Sequence, residues 1–370
     1  MLAKSPLDGR RRSLSPDVAI VCFSHLRWNF VYQRPQHLMS RFARERAVYF
    51  IEEPDECNDG LPFRAYTSDE GVVVVTPSVA AGRAVDDVFK RFGICEFVAW
   101  YYTPAALEFS THLRPRATVY DCMDQLSAFK NADPRLPELE TLLLRRADVV
   151  FCGGRSLYEQ KRRFHGNVHA LPSSVDRVHF KAARSILDER EEQRDLARPR
   201  AGYYGVIDER LDIELLGRLA SLLPDWNFVI VGPVVKIDPG SLPVRSNIRY
   251  VGHRPYESLP GFLAGWDVAI QPFARNAATE FISPTKTLEY LAAGKRVVST
   301  SIRDVVEPYG RTGLVEIADD PPAFAAALDR LRGSERDVAW LAAVDRMLQG
   351  TSWERTWETM DEAIAEVAVA

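Results

Sequence analysis

Between Glu280 and Lys295 the chain places Ser283, Pro284, Thr285, Lys286 and Glu289 at the start of a helical pattern. Pro284 suits the first turn of a helix, because its missing N–H would have no intrahelical partner there, and Ser283 is placed to cap the remaining donors. Such a terminus offers free N–H groups and the positive end of the helix dipole, which attract phosphate, and Lys286 adds a mobile cation. Glu289 lies one turn on from Thr285 and Lys286, on the same helix face, where its carboxylate can accept hydrogen bonds from a ribose. The chemistry implied is joint recognition of a diphosphate and a sugar hydroxyl. An ordinary capped helix with Lys286 and Glu289 as a solvated pair fits the same residues, so the segment needs support from the rest of the chain.

That support comes from other groups at the ends of apparent strands. Gly205 stands where a strand stops, and a glycine there lets a ligand approach the backbone closely; Arg210 follows within reach of a phosphate. The surrounding pattern is not Gly-x-Gly-x-x-Gly, which disfavours a cofactor dehydrogenase. His253 ends another strand and can face a nucleobase. Nearer the N-terminus, Phe23 to His37 gathers His25, Arg27, Trp28, Tyr32 and Arg34 directly after a strand. Trp28 and Tyr32 are suited to stacking on a sugar or a lipid-linked acceptor, and Arg27 or Arg34 to meeting a phosphate. Asp121 and Asp124 close a further strand, as a general base for an acceptor hydroxyl or as ligands of sugar hydroxyls; capping the following helix is the structural alternative for at least one of them.

The elements that must position these groups are short β-branched and aromatic runs alternating with amphipathic helical patterns. Strands are expected at Asp17–Phe23, Ala47–Ile51, Val72–Thr76, Phe97–Tyr101, Ala117–Tyr120, Val149–Cys152 and Val168–Leu171. After a highly charged stretch the alternation restarts, with strands at Ala201–Tyr204, Phe228–Val231, Ile248–Val251, Val268–Gln271, Arg296–Thr300 and Leu314–Ile317. This is the signature of α/β doubly wound parallel sheets, twice over. A chain of 370 residues is comfortable for two such domains. The expected organisation is a disordered arm over 1–16, a Rossmann-like domain over 17–175, a second over 176–351, and a C-terminal helix over 352–370 that packs back on the first, with Trp353 and Trp357 as its anchors. Ligands of such sheets sit outside the carboxyl ends of the strands, so the cleft between the domains is the expected site.

Composition narrows the function. Hydrophobic residues make up 46% and charged residues 26%, and the net charge of −4 excludes a generally basic nucleic-acid binder. The five cysteines show no close-paired metal spacing and read as reduced core residues. No apolar run approaches the ~20 residues of a membrane span. The expected location is cytoplasmic, with peripheral contact to the inner membrane face through Arg10, Arg11 and Arg12. No metal site is expected, and the oligomeric state is left open.

Together these features resemble bacterial GT-B glycosyltransferases that build cell-surface polysaccharides, close to the family-4-like group that includes teichuronic acid glycosyltransferases. The resemblance is carried by Val31 to Met39, Tyr120 to Asp124, Tyr203 to Asp208, Ser283 to Lys286 with Glu289 to Lys295, and Ser352-Trp353-Glu354. It implies the GT-B fold, two Rossmann-like domains facing across a cleft. The C-terminal domain would bind a nucleotide-diphosphate sugar, a UDP-sugar as the first choice, and the N-terminal domain a glycan or lipid-linked acceptor. No cofactor or metal would be needed, because Arg210 and Lys286 would stabilise the leaving diphosphate. Glu289 matches the second Glu of the family's Glu-x7-Glu motif. The first falls at Phe281, with Glu280 the acid beside it as a donor-binding residue. The family's usual histidine at the end of the Asp121 strand is absent, which turns the expectation toward an inverting reaction with Asp124, ahead of Asp121, as the base; a front-face, retaining reaction in which these Asp residues only bind sugar is the competing expectation. Domain closure would bring His25, Arg34 and the Asp pair toward the donor. A nucleotide-sugar epimerase and a non-catalytic GT-B partner subunit are the alternative readings.

Overall fold

A computed structural model describes residues 13–56, 60–79, 84–186, 189–334 and 337–368. The elements run β1 (Ala19–Phe23), α1 (Arg34–Phe42), β2 (Val48–Ile51), β3 (Phe63–Thr67), β4 (Val73–Pro77), α2 (Ala84–Phe92), β5 (Phe97–Tyr101), α3 (Leu107–Ser110), β6 (Ala117–Cys122), α4 (Leu136–Arg146), β7 (Val149–Cys152), α5 (Arg155–Lys161), β8 (Val168–Ala170), α6 (Arg177–Lys181) and α7 (Glu191–Arg194). The second half continues with β9 (Arg200–Tyr204), α8 (Ile213–Leu222), β10 (Asn227–Val231), β11 (Ile248–Gly252), α9 (Leu259–Ala264), β12 (Val268–Gln271), α10 (Thr285–Ala292), β13 (Arg296–Ser299), α11 (Arg303–Val305), β14 (Val315–Ile317), α12 (Pro321–Leu331), α13 (Val338–Met347) and α14 (Trp353–Ala368).

Two sheets result. The first has eight strands in the order β3-β4-β2-β1-β5-β6-β7-β8, and the second six in the order β11-β10-β9-β12-β13-β14. Central strands such as β1 and β5 are buried at every residue, as strands covered by helices on both faces must be. In the first sheet the order reverses between β1 and β5, and in the second between β9 and β12, so each has a crevice at its carboxyl edge.

The strand β3 was not anticipated, and it makes the first sheet mixed rather than wholly parallel. It runs antiparallel to β4 at the edge, with Arg64 to Thr67 exposed, so no buried hydrophobic run announces it. The proposed arm also ends sooner than expected. Leu14 is buried, and the Arg46 guanidinium donates to the carbonyls of Leu14 and Ser15 at 2.9 Å, tying the chain down from there. Arg10, Arg11 and Arg12 lie outside the described residues.

One hydrophobic cluster fills the second domain, and two flank the first sheet. Trp353, Trp357, Met360 and Ile364 of α14 belong to a first-domain cluster, so the chain's final helix crosses back and lies on α1 and the first sheet. Burying four such side chains contributes several kcal/mol, at about 1.5–3 kcal/mol each. Cys22, Cys122 and Cys152 are buried free thiols and Cys95 is exposed, while Cys57 lies outside the described residues. Among the described residues no helix is long and apolar enough to cross a membrane.

Candidate functional site

A cavity of about 580 Å³ opens between the two sheets. Its second-domain wall is built from the carboxyl ends of three neighbouring strands. Gly205 follows β9 and Gly232 follows β10, and both hold left-handed backbone, φ +141° and +147°. Side chains are excluded at both. A β-carbon at 205 would stand 2.2 Å from Lys286 Cε, and one at 232 would stand 1.9 Å from the Gly205 carbonyl oxygen. Conformation calls for glycine at both positions, and space does so as well at 232, where the obstacle is backbone, so the wall is left as bare backbone. His253, just after β11, completes this side.

Across the glycine floor lies α10. Pro284 itself is its N-cap residue, and no side chain caps the first turn. This corrects the sequence reading in one respect. Ser283 does not close the helix start but packs toward Gly154 of the first domain, and it does not line the cavity. Thr285 and Lys286 at the uncapped start, and Glu289 one turn later, all do. The half-buried Lys286 ammonium sits 5.8 Å from the Tyr203 ring centroid. Burial, with Arg210 adding repulsion, pushes its pKa down to about 8. Glu289 is only 6% exposed, and its carboxylate accepts the Tyr204 hydroxyl. Burial lifts its pKa to about 7, against the opposing effects of Tyr204 and Lys286. Arg210 is held by Asp208, with Nε donating to both carboxylate oxygens at 3.0 and 3.1 Å and Nη2 at 2.7 Å. Its guanidinium is thereby aimed, with part of its donor set still directed elsewhere.

The first-domain wall differs. Tyr32 lines the cavity and meets Tyr256 of the second domain at 5.0 Å between centroids. Trp28 reaches the cavity but is mostly a core residue, 6% exposed and edge-on to Phe50. The roles expected for Arg34 and Asp121 are corrected. Arg34 Nε and Nη2 donate to the Asp121 carboxylate at 2.9–3.1 Å, Nη1 donates to the Leu171 carbonyl, and both residues are almost wholly buried. Each neutralises the other, and neither lines the cavity. Asp121 has no free lone pair aimed at an acceptor, and Arg34 has no face for one.

Asp124 is different. It is half-buried, and the charges that act on it come from across the cleft. Burial raises its pKa, while Arg210, Lys286 and Lys236 pull it back down. His25 is pushed down to about 4 by burial and by Lys236, so its ring is neutral, and its buried Nδ1 has no hydrogen-bond partner. Glu280 is corrected as well. It is exposed and outside the cavity, and its neighbour Phe281 packs against a first-domain cluster.

Several contributors were missed. Gly232 had a readable signal, a glycine directly after a buried strand just as at Gly205. Tyr204 and Asp208 act by orienting Glu289 and Arg210, and Tyr256 joins the domains; nothing in the local sequence distinguishes such partners.

Residues 199–333 match the family described as Glycosyl transferases group 1. TuaH of Bacillus subtilis (strain 168), named as a teichuronic acid biosynthesis glycosyltransferase, is 28% identical over 266 residues. The match covers 65% of this chain and 65% of that relative, so just under two thirds of its length is spanned. Among solved structures, Anabaena HepE in complex with UDP and glucose superposes with a TM-score of 0.67 at 13% identity, over 93% of this chain and 98% of that one. The E. coli trehalose-6-phosphate protein bound with UDP-2-fluoro glucose gives 0.66 at 11%, over 95% and 99%. At such identities the likeness is one of fold, and that fold is GT-B.

Proposed function

We propose that this chain, which has the GT-B fold and carries a glycosyl transferases group 1 domain over residues 199–333, moves a sugar from a UDP-sugar to a hydroxyl of a glycan or lipid-linked acceptor in surface polysaccharide synthesis. The observation that carries the proposal is the second-domain wall. Bare glycine backbone, an uncapped helix start and Lys286 meet there, with Glu289 one turn behind. Free N–H groups and a cation suit a diphosphate, and a carboxylate at this distance along the helix suits a ribose. UDP in the HepE structure and a UDP-sugar in the E. coli one support uridine as the base, and TuaH supports the polysaccharide role.

Transfer then follows from what these residues can do. Lys286 and Arg210 balance charge as the diphosphate departs, without a metal ion in this reading. Asp124 does not line the cavity but lies within electrostatic reach of Arg210 and Lys286, and burial raises its pKa, which suits it to taking the proton of an attacking hydroxyl; direct attack inverts the anomeric centre. Work at the inner face of the membrane fits a lipid-linked acceptor.

Thermal unfolding of wild type and Lys286→Ala against UDP, GDP, dTDP, ADP and NAD tests the donor site. At roughly 100 times its dissociation constant a ligand adds about 2.7 kcal/mol, several degrees for a chain of this size. A shift with UDP that vanishes in the variant is expected. No shift with any nucleoside diphosphate overturns the reading.

A further inference from the structure

We propose that Phe129 of the first domain is a positioning residue for the diphosphate subsite of the second, its ring gripping the guanidinium of Arg210 across the cleft. The inference rests on the donor-site reading above. The ring lies 5.3 Å from the Arg210 guanidinium carbon and 4.9 Å from the Lys236 ammonium, so two second-domain cations share one first-domain aromatic. A ring face attracts cations, and the attraction grows as water is excluded.

The contact is built on both sides. Beside the ring, the Lys130 N–H donates to Glu209 Oε1 at 3.1 Å, fastening the first-domain loop to the residue next to Arg210. The loop is itself anchored from below. Lys161, buried, donates to Gln125 Oε1 at 2.6 Å and pairs with Glu140 at 2.7 Å, and Gln125 also donates to Ser127. Among the described residues, the non-glycine positions with positive φ are Asn131 at 60° and Lys236 at 64°. Lys236 lies at this contact, and Asn131 follows Phe129 by two residues in the first-domain loop. A lysine in that region is uncommon and persists where its surroundings hold it, as they do at ligand clamps. Lys236, although exposed, also acts electrostatically on His25, Glu53 and Asp124 of the first domain.

Arg210 is therefore braced by Asp208 along one edge and by Phe129 on its face, which fixes the direction of its remaining donors. The same loop begins at Asp124. Seating Phe129 thus sets the phosphate-facing cation and the opposing carboxylate in a single movement.

Calorimetric titration of the full chain with UDP, and with uridine as a control lacking phosphate, tests this. Phe129→Leu is expected to weaken UDP about tenfold, the loss of roughly two cation–π contacts, and to leave uridine unchanged. Phe129→Tyr, which keeps the ring, should bind UDP as wild type does. Lys236→Met should weaken UDP less when placed on Phe129→Leu than on wild type, since the two share one contact. A role in packing alone would be met by leucine, so UDP binding by Phe129→Leu equal to wild type overturns the proposal. Equal losses for UDP and uridine, or for leucine and tyrosine, overturn it too. A wild type that binds no nucleoside diphosphate would sink the donor-site reading together with this one, and is recognised by that.

Discussion

The two walls of the cleft carry the same kinds of residue and use them in opposite ways. On the second-domain wall Lys286 and Glu289 reach the cavity, and Arg210 is only half engaged by Asp208. Behind the first-domain wall the comparable groups are closed off. Arg34 and Asp121 satisfy each other, and Glu52 takes donors from Arg27, Trp28 and Thr76. An ion pair in the interior is neutral to its surroundings, whereas a charge held from one side only is an aimed instrument. Asp124 escapes this closure, with second-domain cations as its charged company, while Asp69 and Glu70 stand exposed at the cavity itself.

The largest test of that contrast separates the two carboxylates of one strand end. Asp121→Ala leaves the buried Arg34 guanidinium without its partner, which costs about 3–5 kcal/mol and lowers the melting midpoint by on the order of 10 °C. Asp124→Ala should melt close to wild type while losing sugar transfer. Equal melting temperatures for the two variants would show that the walls do not differ in the way described.

Next in size is the second-domain cation. Lys286→Ala removes a charged donor from a diphosphate, worth about 1.5–3 kcal/mol, so UDP should bind roughly ten- to a hundredfold more weakly by titration. Gly205→Ala should mimic it, because a β-carbon there would displace the same lysine side chain. If Gly205→Ala binds UDP normally, the Lys286 stem does not need the bare floor.

This asymmetry also explains what could be read without coordinates. Most second-domain residues, Ser283 and Glu280 apart, were legible because the donor wall is local. Lys286 and Glu289 share one helix turn, and Gly205 and Arg210 one strand-to-helix loop, so spacing alone aligned them. First-domain residues were misjudged because the partner of Arg34 lies 87 positions away at Asp121, and no local pattern announces a long-range ion pair. The parallel strands declared themselves through buried β-branched runs. The edge strand β3, exposed along most of its length, had no such signal.

A smaller effect, a few-fold, comes from pH. The Glu289 pKa is raised from 4.5 to about 7, so the folded state holds its proton more tightly than the unfolded chain. The stability this lends is present below about 4.5 and is lost as pH rises through about 7. Lys286 is lowered from 10.5 to about 8, so its charged form burdens the fold below about 8, and that burden lifts as pH climbs toward 10.5. Between about 7 and 8 both groups are charged and neither is at ease, and a bound ribose and diphosphate relieve them most. UDP affinity should therefore peak in that window, and Glu289→Gln should flatten the acidic limb alone. An acidic limb unchanged in Glu289→Gln would remove Glu289 from the ribose.

The least effect is expected at Glu280, and the absence of an effect is informative. The motif this segment resembles has its first acid at the position held here by Phe281, whose ring packs on the first domain's hydrophobic cluster. A carboxylate at 281 would have to displace that contact between the domains. Glu280 points into solvent beside it and cannot take over a role in the cavity. Glu280→Gln should thus change stability by less than about 0.5 kcal/mol and leave UDP affinity and transfer within about twofold of wild type. Phe281→Ala should weaken the contact between the domains instead. A large loss of activity in Glu280→Gln would mean that the loop refolds around the donor, bringing to the second-domain wall an acid that the unliganded cleft keeps outside.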